Sequence, residues 1–202
     1  MPKADFFTSL GLFVVKDFFD LELCDKIRIE SRDAVNNAAS VLGKDGKYEV
    51  IEEIRKIKYS QVSEETINKV NSCLIAVKPK LEEHFKLELT DCETPQFLRY
   101  TKGDFYLPHS DSCNTDNAPQ SVKNRQVSAV IFLSSESEEL GEEYYGGGAL
   151  TFYGLIKDPL WQKYGFSLNG EAGLLIAFRC EIWHEVEPII FGERYTIVSW
   201  FF

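Results

Sequence analysis

Two of the three histidines in this 202-residue chain stand where their side chains suit metal coordination. His109 precedes Asp111 by two residues, and positions i and i+2 of an extended segment point to the same face. An imidazole and a carboxylate placed in this way can reach one point in space. A surface turn is the competing interpretation, because Pro108, Ser110 and Ser112 are residues that favour turns.

His184 and Arg194 place two further polar side chains in apolar surroundings. His184 follows Trp183 in a strand pattern, although a hydrogen-bonded, half-buried histidine is the simpler explanation for this residue alone. Arg194 begins a strand that is apolar on both faces, so we predict that it faces a bound anion or a carboxylate. A surface arginine at a strand end is the alternative.

Together the four residues suit one kind of chemistry. Two neutral imidazoles and one carboxylate bind one face of a ferrous ion and leave the opposite positions open. A 2-oxo acid fills two of these positions through its carboxylate and keto oxygens, and O2 takes the third. The far carboxylate of 2-oxoglutarate then needs a bidentate cation, for which a planar guanidinium is better suited than lysine. Arg194 cannot itself be a ligand, because it has no lone pair to give.

The segments that carry these residues resemble the 2-oxoglutarate/Fe(II)-dependent dioxygenases, and most closely their prolyl hydroxylase-like branch. The resemblance covers about residues 96–202. The similar stretches are the lead-in to the first ligand pair (98–111), the Gly-Gly strand (146–152) and the closing strands (183–188, 192–195 and 200–201).

The resemblance implies a double-stranded β-helix, or jelly roll, in which His109, Asp111 and His184 are the catalytic Fe(II) ligands. It also implies that 2-oxoglutarate and O2 are converted to succinate and CO2 while a C–H bond is hydroxylated, with ascorbate as a supportive additive. A carboxylate at position 111 favours hydroxylation over halogenation. Desaturation and cyclisation stay open as outcomes.

Further site residues follow from the same resemblance. It implies co-substrate binding by Arg194, Tyr100, Tyr106 and Thr151, and the candidates for the substrate pocket are Trp200, Arg125 and Val186. For the two tyrosines, aromatic strand packing is an equal alternative. Trp200 is equally compatible with a plain core position, and Arg125 with an ordinary strand-end charge.

Two positions depart from the family's pattern. Ala149 follows the paired glycines, where an acidic or polar residue is common. A tyrosine that commonly helps to hold the far carboxylate falls near Ile131 or Phe132 in this chain. We therefore expect Tyr100 or a hydroxyl elsewhere to complete the co-substrate pocket.

The elements that must position these residues divide the chain into a helical first half and a strand-rich second half. Leu10–Phe18 is predicted to be an entering strand, and Ser63 to cap a helix in which Pro79 permits a kink. Asp20 is predicted to cap an earlier helix that runs to about Leu42, with one face formed by Leu23, Ile27, Ala34, Ala38 and Val41. Six strands are predicted after Thr94, namely Gln96–Thr101, Gln126–Leu133, Ala149–Tyr153, Gly173–Phe178, Trp183–Val186 and Tyr195–Phe202.

These patterns predict a mainly β fold, a jelly roll flanked by N-terminal α-helices. We expect one dioxygenase domain over residues 1–202, in which 1–93 give largely helical support and 94–202 form the catalytic core. A hydrophobic content of 44% is enough for a sizeable core.

Composition limits the partners and the location. A formal net charge of -10 disfavours nucleic acid as a partner, because an acidic surface repels phosphates. Five widely spaced cysteines without a CxxC pair disfavour structural zinc and a disulfide framework. The apolar run Leu10–Val15 is too short to span a membrane, so we expect no membrane association and a cytoplasmic location.

The substrate is the least determined feature. Segment 134–145 carries Glu136, Glu138, Glu139, Glu142 and Glu143, which form either a lid that attracts a cationic substrate or a solvated loop. A prolyl residue of a protein is the first hypothesis, because the motif branch favours it. A free amino acid or small metabolite is the second. A metal-binding jelly roll without redox turnover is the third, and Arg194 argues against it, since such a module needs no dicarboxylate anchor.

Overall fold

A computed structural model describes residues 4–43, 46–113, 115–139, 141 and 143–202. Glu142, which belongs to the predicted acidic loop, lies outside the described residues. In the part described, the helices are α1 (Ala4–Ser9), α2 (Leu21–Asp33), α3 (Glu64–Phe85) and α4 (Gln120–Asn124). The strands are β1 (Phe13–Val15), β2 (Asn36–Ala38), β3 (Val41–Leu42), β4 (Tyr48–Glu49), β5 (Arg55–Lys56), β6 (Lys58–Ser60), β7 (Gln96–Tyr100), β8 (Phe105–His109), β9 (Val127–Phe132), β10 (Ser135–Glu136), β11 (Tyr144–Gly147), β12 (Leu150–Phe152), β13 (Phe166–Leu168), β14 (Leu175–Arg179), β15 (His184–Val186), β16 (Ile189–Gly192) and β17 (Arg194–Phe201).

Helix α2 begins as the sequence predicts but ends early. The side chain of Asp20 caps it by accepting a hydrogen bond from the backbone N–H of Leu23. The helix ends at Asp33, so the prediction that it continues to Leu42 is wrong.

The segment after α2 forms strands instead. Strand β2 pairs with β6, where Asn36 lies opposite Ser60, and β3 pairs with β4. The apolar spacing of Ala34, Ala38 and Val41 therefore does not mark a helical face. Asparagine and β-branched residues are weak helix formers, and pairing with β6 gives their backbone groups an alternative set of partners. Short strands thus join the helices in the first half of the chain.

Helix α3 follows its prediction closely. Ser63 caps it by accepting from the backbone N–H of Thr66, and the helix continues through Pro79. It ends where Lys86 takes a left-handed conformation at φ 54°. The buried apolar residues of α3 recur at helical spacing and pack against the large sheet, namely Val70, Leu74, Val77 and Leu81.

The large sheet has seven strands in the order β1-β14-β9-β17-β7-β6-β2. Its central strand β17 pairs antiparallel with both β9 and β7. One face packs against α2 and α3 through a buried apolar cluster that includes Ile27, Leu74 and Ile197. Because strand residues alternate between faces, the other face supplies a second apolar cluster.

A five-stranded sheet, β13-β12-β15-β8-β5, faces that second side, and a three-stranded sheet, β10-β11-β16, lies beside it. The cluster between the sheets joins Val130 and Phe178 of the large sheet to Phe152 and Val186 of the smaller one. These facing antiparallel sheets confirm the predicted mainly β fold with helices on its outer face. Among the described residues, no helix is both long and apolar enough to cross a membrane.

Candidate active site

Strands β8 and β15 bring the predicted metal ligands together. The two strands are antiparallel neighbours, and His184 lies directly opposite His109. Asp111 follows the end of β8, and its backbone N–H donates to the carbonyl of Cys180. One ligand atom from each of His109, Asp111 and His184 lies within 4.8 Å of the others. Three donors at this separation can hold a single ion.

Both imidazoles are oriented by the backbone. Nδ1 of His109 lies 2.8 Å from the carbonyl oxygen of Leu107, and Nδ1 of His184 lies 3.0 Å from that of Ile182. A carbonyl oxygen only accepts, so Nδ1 carries the proton in each ring. The Nε2 lone pairs therefore face the site, where each lies 3.7 Å from an oxygen of Asp111.

The site favours the protonation states that metal binding requires. Burial lowers the pKa of His109 to about 3, and the neighbouring His184 acts in the same direction. Burial alone would raise the pKa of Asp111, but the two histidines and hydrogen bonds from Ser128 and Trp200 lower it to about 2. A neutral imidazole and an ionised carboxylate are the forms that bind a cation.

A chain of hydrogen bonds behind Asp111 was not anticipated from the sequence. The Ser128 hydroxyl, on β9, donates to Oδ2 of Asp111 at 2.6 Å. The Cys180 sulfur lies 3.2 Å from the same hydroxyl oxygen. Because the Ser128 proton is used on Asp111, the Cys180 thiol is the donor in this second contact. Nothing in the local sequence pairs these residues, since the contacts arise from strand packing.

Arg194, the predicted co-substrate anchor, is a buried guanidinium without an acidic partner in the part of the chain that the structure describes. It is 1% exposed, and neither Nε nor Nη2 has a hydrogen-bond partner among the described residues. Its Nη1 lies 3.4 Å from the Thr196 hydroxyl, and the rings of Tyr100 and Phe132 each lie 4.9 Å from the guanidinium carbon. An unpaired buried charge is costly, so this group fits an anionic ligand that enters the cavity.

Two neighbours of Arg194, the carboxyl of Glu136 and the phenol of Tyr145, do not neutralise its charge. Glu136 forms no ion pair with it in the described part of the chain, and burial raises the pKa of this carboxyl. The buried Tyr145 hydroxyl has no hydrogen-bond partner within the described residues either, and burial raises its pKa to about 12. The guanidinium is thus surrounded mainly by rings and hydroxyls.

One cavity joins the three metal-ligand candidates to Arg194. Tyr100, Tyr106, Val186 and Trp200, all singled out from the sequence, line it. The ring of Tyr106 stacks on His109 with centroids 3.5 Å apart. Thr196 also lines the cavity, and sequence analysis missed it, although its position two residues after Arg194 on the same strand face was available as a signal.

Thr151 lies outside this cavity, contrary to its predicted place. Its neighbour Leu150 faces the cavity, and strand alternation turns Thr151 to the opposite face. There its hydroxyl donates to Glu187 at 2.6 Å and contacts the Ser167 hydroxyl at 2.8 Å. The structure therefore gives Thr151 partners in the outer layer rather than near a co-substrate.

Arg125 lies beside the cavity but already has an acidic partner. Its Nε and Nη2 contact both carboxylate oxygens of Glu93 at 2.6 and 2.7 Å. Its guanidinium carbon also lies 3.7 Å from the centre of the Trp200 ring. This bidentate pair satisfies the charge, so Arg125 is not a free cation awaiting a substrate carboxylate.

A wider groove, which we call the outer groove, opens from the metal-ligand candidates to the surface. Its wall includes the β3–β4 hairpin, residues 108–113, Arg125 and Trp183. Tyr48 and Trp183 are more than half exposed there, at 56% and 55%. Arg55 lines both the groove and the inner cavity, and sequence analysis did not single it out.

Comparison with known proteins identifies the family to which this chain is similar. Residues 95–202 match the model of the 2OG-Fe(II) oxygenase superfamily. A PKHD-type hydroxylase from Shewanella baltica strain OS155 is 30% identical over 106 residues, which are 52% of this chain and 41% of that protein. The chain thus matches less than half the length of this curated relative.

Solved structures share the fold. A prolyl-4-hydroxylase from Pseudomonas putida superposes with a TM-score of 0.69 at 24% identity, over 98% of this chain and 95% of that one. A prolyl hydroxylase from Trichoplax adhaerens, solved with a hypoxia inducible factor peptide fragment, gives 0.72 at 17% identity, over 98% and 86%. At these identities the likeness concerns the fold.

Proposed function

Because the chain belongs to the 2OG-Fe(II) oxygenase superfamily, we propose that it hydroxylates a C–H bond of a prolyl residue in a peptide or protein. His109, Asp111 and His184 would hold Fe(II), and Arg194 would bind the far carboxylate of 2-oxoglutarate. When bound, the metal and co-substrate supply the oxidising chemistry, with succinate and CO2 as co-products. We further propose that the whole chain acts as one catalytic domain, with residues 94–202 as its core.

The observation that carries this proposal is the buried guanidinium of Arg194, which has no acidic partner among the described residues and shares a cavity with three side chains that could hold a metal. A metal site that only binds its ion has no use for such a group. Other residues of the chain would position the reactants and exclude water. Tyr106 packs on His109. The apolar side chains of Val130, Leu150 and Val186 line the cavity and would limit access of water to the reacting centre.

The outer groove favours a peptidyl substrate over a free amino acid. It continues well beyond the metal-ligand candidates, and its exposed aromatic side chains, Tyr48 and Trp183, offer contact surface for residues that flank the target. The hydroxylases to which the chain is similar include prolyl hydroxylases, one of them solved with a peptide. A small metabolite is the alternative substrate, and it would leave most of the groove unfilled.

The first test measures succinate formed with Fe(II), 2-oxoglutarate and ascorbate in the presence of proline-containing peptides. We expect His109→Ala and Asp111→Ala to abolish turnover while circular dichroism shows an intact fold, because each variant removes a metal donor. Mass spectrometry of the peptides should show one added oxygen. Normal turnover in either variant would refute the assignment, and tight zinc or nickel binding without any turnover would favour a non-redox module.

The second test concerns Arg194. We expect Arg194→Ala to weaken 2-oxoglutarate binding by about 2 kcal/mol or more, because a buried carboxylate would lose its charged partner. Arg194→Lys should retain part of this affinity, since lysine keeps the charge without the planar fork. Arg179→Ala is the matched control, because this strand-end arginine lies near the exposed Glu181 and lines neither cavity. Unchanged affinity in Arg194→Ala would show that another group anchors the co-substrate.

A further inference from the structure

Arg55 is a second buried arginine beside the metal-ligand candidates. It lies on β5, which pairs with β8, and is 8% exposed. Its Nη1 donates to the carbonyl of Ser40 at 2.8 Å and lies 3.3 Å from the Tyr59 hydroxyl, but its buried Nε has no hydrogen-bond partner in the described part of the chain. Within the described residues its guanidinium forms no ion pair with a carboxylate. Its charge is therefore incompletely compensated.

The other arginines around the cavity and the outer groove already have a role. Arg194 lies in the inner cavity alone and suits the co-substrate, whereas Arg125 is held by both oxygens of Glu93. Arg55 lines both the inner cavity and the outer groove, and it has no acidic partner in the described part of the chain. Among the described arginines that line the outer groove, Arg55 is therefore the one whose guanidinium can still donate to an oxygen of a ligand.

Arg55 lies close to the metal-ligand candidates, to which it is connected through the ring of Tyr106. Its guanidinium carbon lies 4.7 Å from the centre of the Tyr106 ring, and the same ring stacks on His109. A group held by Arg55 would thus lie close to the metal-ligand candidates, on the side where the inner cavity meets the groove. The cation–π contact and the fixed donors of Nη1 hold the guanidinium in place before any ligand arrives.

We propose that Arg55 binds a carbonyl-type oxygen of the primary substrate and so positions the adjacent C–H bond for oxidation. This inference rests on the proposed function. In a peptide the oxygen would be the backbone carbonyl of the target residue, and in a free amino acid it would be the carboxylate. A planar guanidinium with an unused N–H suits either acceptor, and the hydrogen bond is charge-assisted.

The experiment uses Mn(II) in place of Fe(II), so that binding is measured without turnover. The whole chain with Mn(II) and 2-oxoglutarate is titrated with N-acetyl-L-proline methylamide, which carries peptide carbonyls, and with N-acetyl-L-proline, which carries a carboxylate. Paramagnetic relaxation of the ring protons reports binding near the metal. We expect Arg55→Gln to weaken binding of the methylamide about tenfold or more, as loss of a charge-assisted hydrogen bond predicts.

Two further variants distinguish the loss of the Arg55 contact with the substrate from a general loss of the fold. Arg55→Lys keeps the charge but not the fork, so it should bind the probe more weakly than the natural chain and more tightly than Arg55→Gln. Arg179→Gln removes a half-buried arginine that lines neither the inner cavity nor the outer groove, and it should leave probe binding unchanged. Binding of 2-oxoglutarate should be retained in all of these variants, which also shows that they are folded.

Several results would overturn the inference. These are the absence of metal-dependent relaxation of both probes in the natural chain, equal probe affinity in Arg55→Gln, or a loss of 2-oxoglutarate binding that leaves the probes unaffected. Selective binding of the carboxylate probe would support the role of Arg55 but identify a free acid as the substrate. Failure of the proposed function looks different: no peptide would stimulate succinate formation, while probe binding would still depend on Arg55.

Discussion

At the scale of single residues, the hydroxyl of Ser128 is the least expected part of the site. It donates to Oδ2 of Asp111 and is in turn contacted by the Cys180 sulfur. Ser128 is 1% exposed, so this hydrogen bond is shielded from bulk solvent. Hydrogen-bond partners of this kind fix the orientation of a metal-binding side chain, and their loss commonly weakens metal binding.

We therefore expect Ser128→Ala to weaken Mn(II) or Co(II) binding by about 10- to 100-fold, because the Asp111 carboxylate loses its orienting donor. Calorimetric titration measures the affinity, and the visible spectrum of the Co(II) form reports the geometry. Ser128→Thr keeps the hydroxyl and is the matched control. If Ser128→Ala binds both metals as tightly as the natural chain, with an unchanged Co(II) spectrum, the hydroxyl has no positioning role.

The surroundings of Arg194 show how one departure from the family's pattern is accommodated. Phe132 offers only a ring beside the guanidinium, where the family commonly has a phenol nearby. The cavity wall places the Thr196 hydroxyl 3.4 Å from Nη1 and the Tyr100 ring 4.9 Å from the guanidinium carbon. That Tyr100 or another hydroxyl completes the co-substrate pocket stays a prediction.

At the scale of elements, strand pairing and helix contacts determine where the chemical groups lie. The register of β15 against β8 places His184 opposite His109, and the order of the large sheet places Ser128 behind Asp111. Helices α2 and α3 cover the outer face of that sheet. They are joined by Glu30, which accepts hydrogen bonds from the Ser63 backbone N–H and the Thr66 hydroxyl, each at 2.6 Å.

Glu30 gives a prediction about the stability of the helical layer. Burial alone would raise its pKa, but the hydrogen bonds from Thr66 and Ser63 lower it below the usual value. A carboxyl with a lowered pKa stabilises the folded state above its unfolded pKa, and this contribution is lost as the pH falls through the folded pKa. Glu30→Gln should therefore reduce the free energy of unfolding at pH 7 by about 1 to 2 kcal/mol.

Urea unfolding of both chains at pH 7 and at pH 3 measures this effect. The difference between the natural chain and Glu30→Gln should be largest at pH 7 and should shrink at pH 3, which lies below the ordinary pKa of a glutamate carboxyl. Glu22→Gln is a suitable control, since this acidic residue stands in the exposed first turn of α2. A difference that does not change with pH would show that the charge of Glu30 contributes nothing.

At the scale of the whole molecule, the first half of the chain is part of the sheet as well as its cover. Strand β1 forms one edge of the large sheet, and β6 and β2 extend the other edge. The cluster between the sheet and the helices contains Leu74 at 1% exposure and Leu81 at 0%. Removal of residues 1–93 would expose the opposite side of that cluster on β9 and β17 to water.

We accordingly expect a fragment of residues 94–202 not to fold cooperatively, although it contains all the proposed ligands. Thermal unfolding followed by circular dichroism should show a single cooperative transition for residues 1–202 and none for the fragment. A control fragment of residues 10–202 lacks α1 but keeps β1 and should unfold cooperatively. If residues 94–202 bound 2-oxoglutarate as tightly as the longer chain, the first half would be dispensable.

The sequence by itself determined the chemistry-bearing residues and the fold class. The spacing of His109 and Asp111, the polar residues His184 and Arg194 in apolar strands, and the short β-branched runs are local patterns, so they are visible without coordinates. The caps at Asp20 and Ser63 are equally local. The end of α2 was not predicted correctly, because only pairing with β6 decides between helix and strand there.

Only the tertiary structure decided which side chains meet. It turned Thr151 away from the cavity, joined Arg125 to Glu93, and left Arg55 as a cation without an acidic partner in the described chain. It also placed Ser128 behind Asp111. These facts depend on strand register and burial between segments far apart in the chain, and local residue spacing carries no information about either.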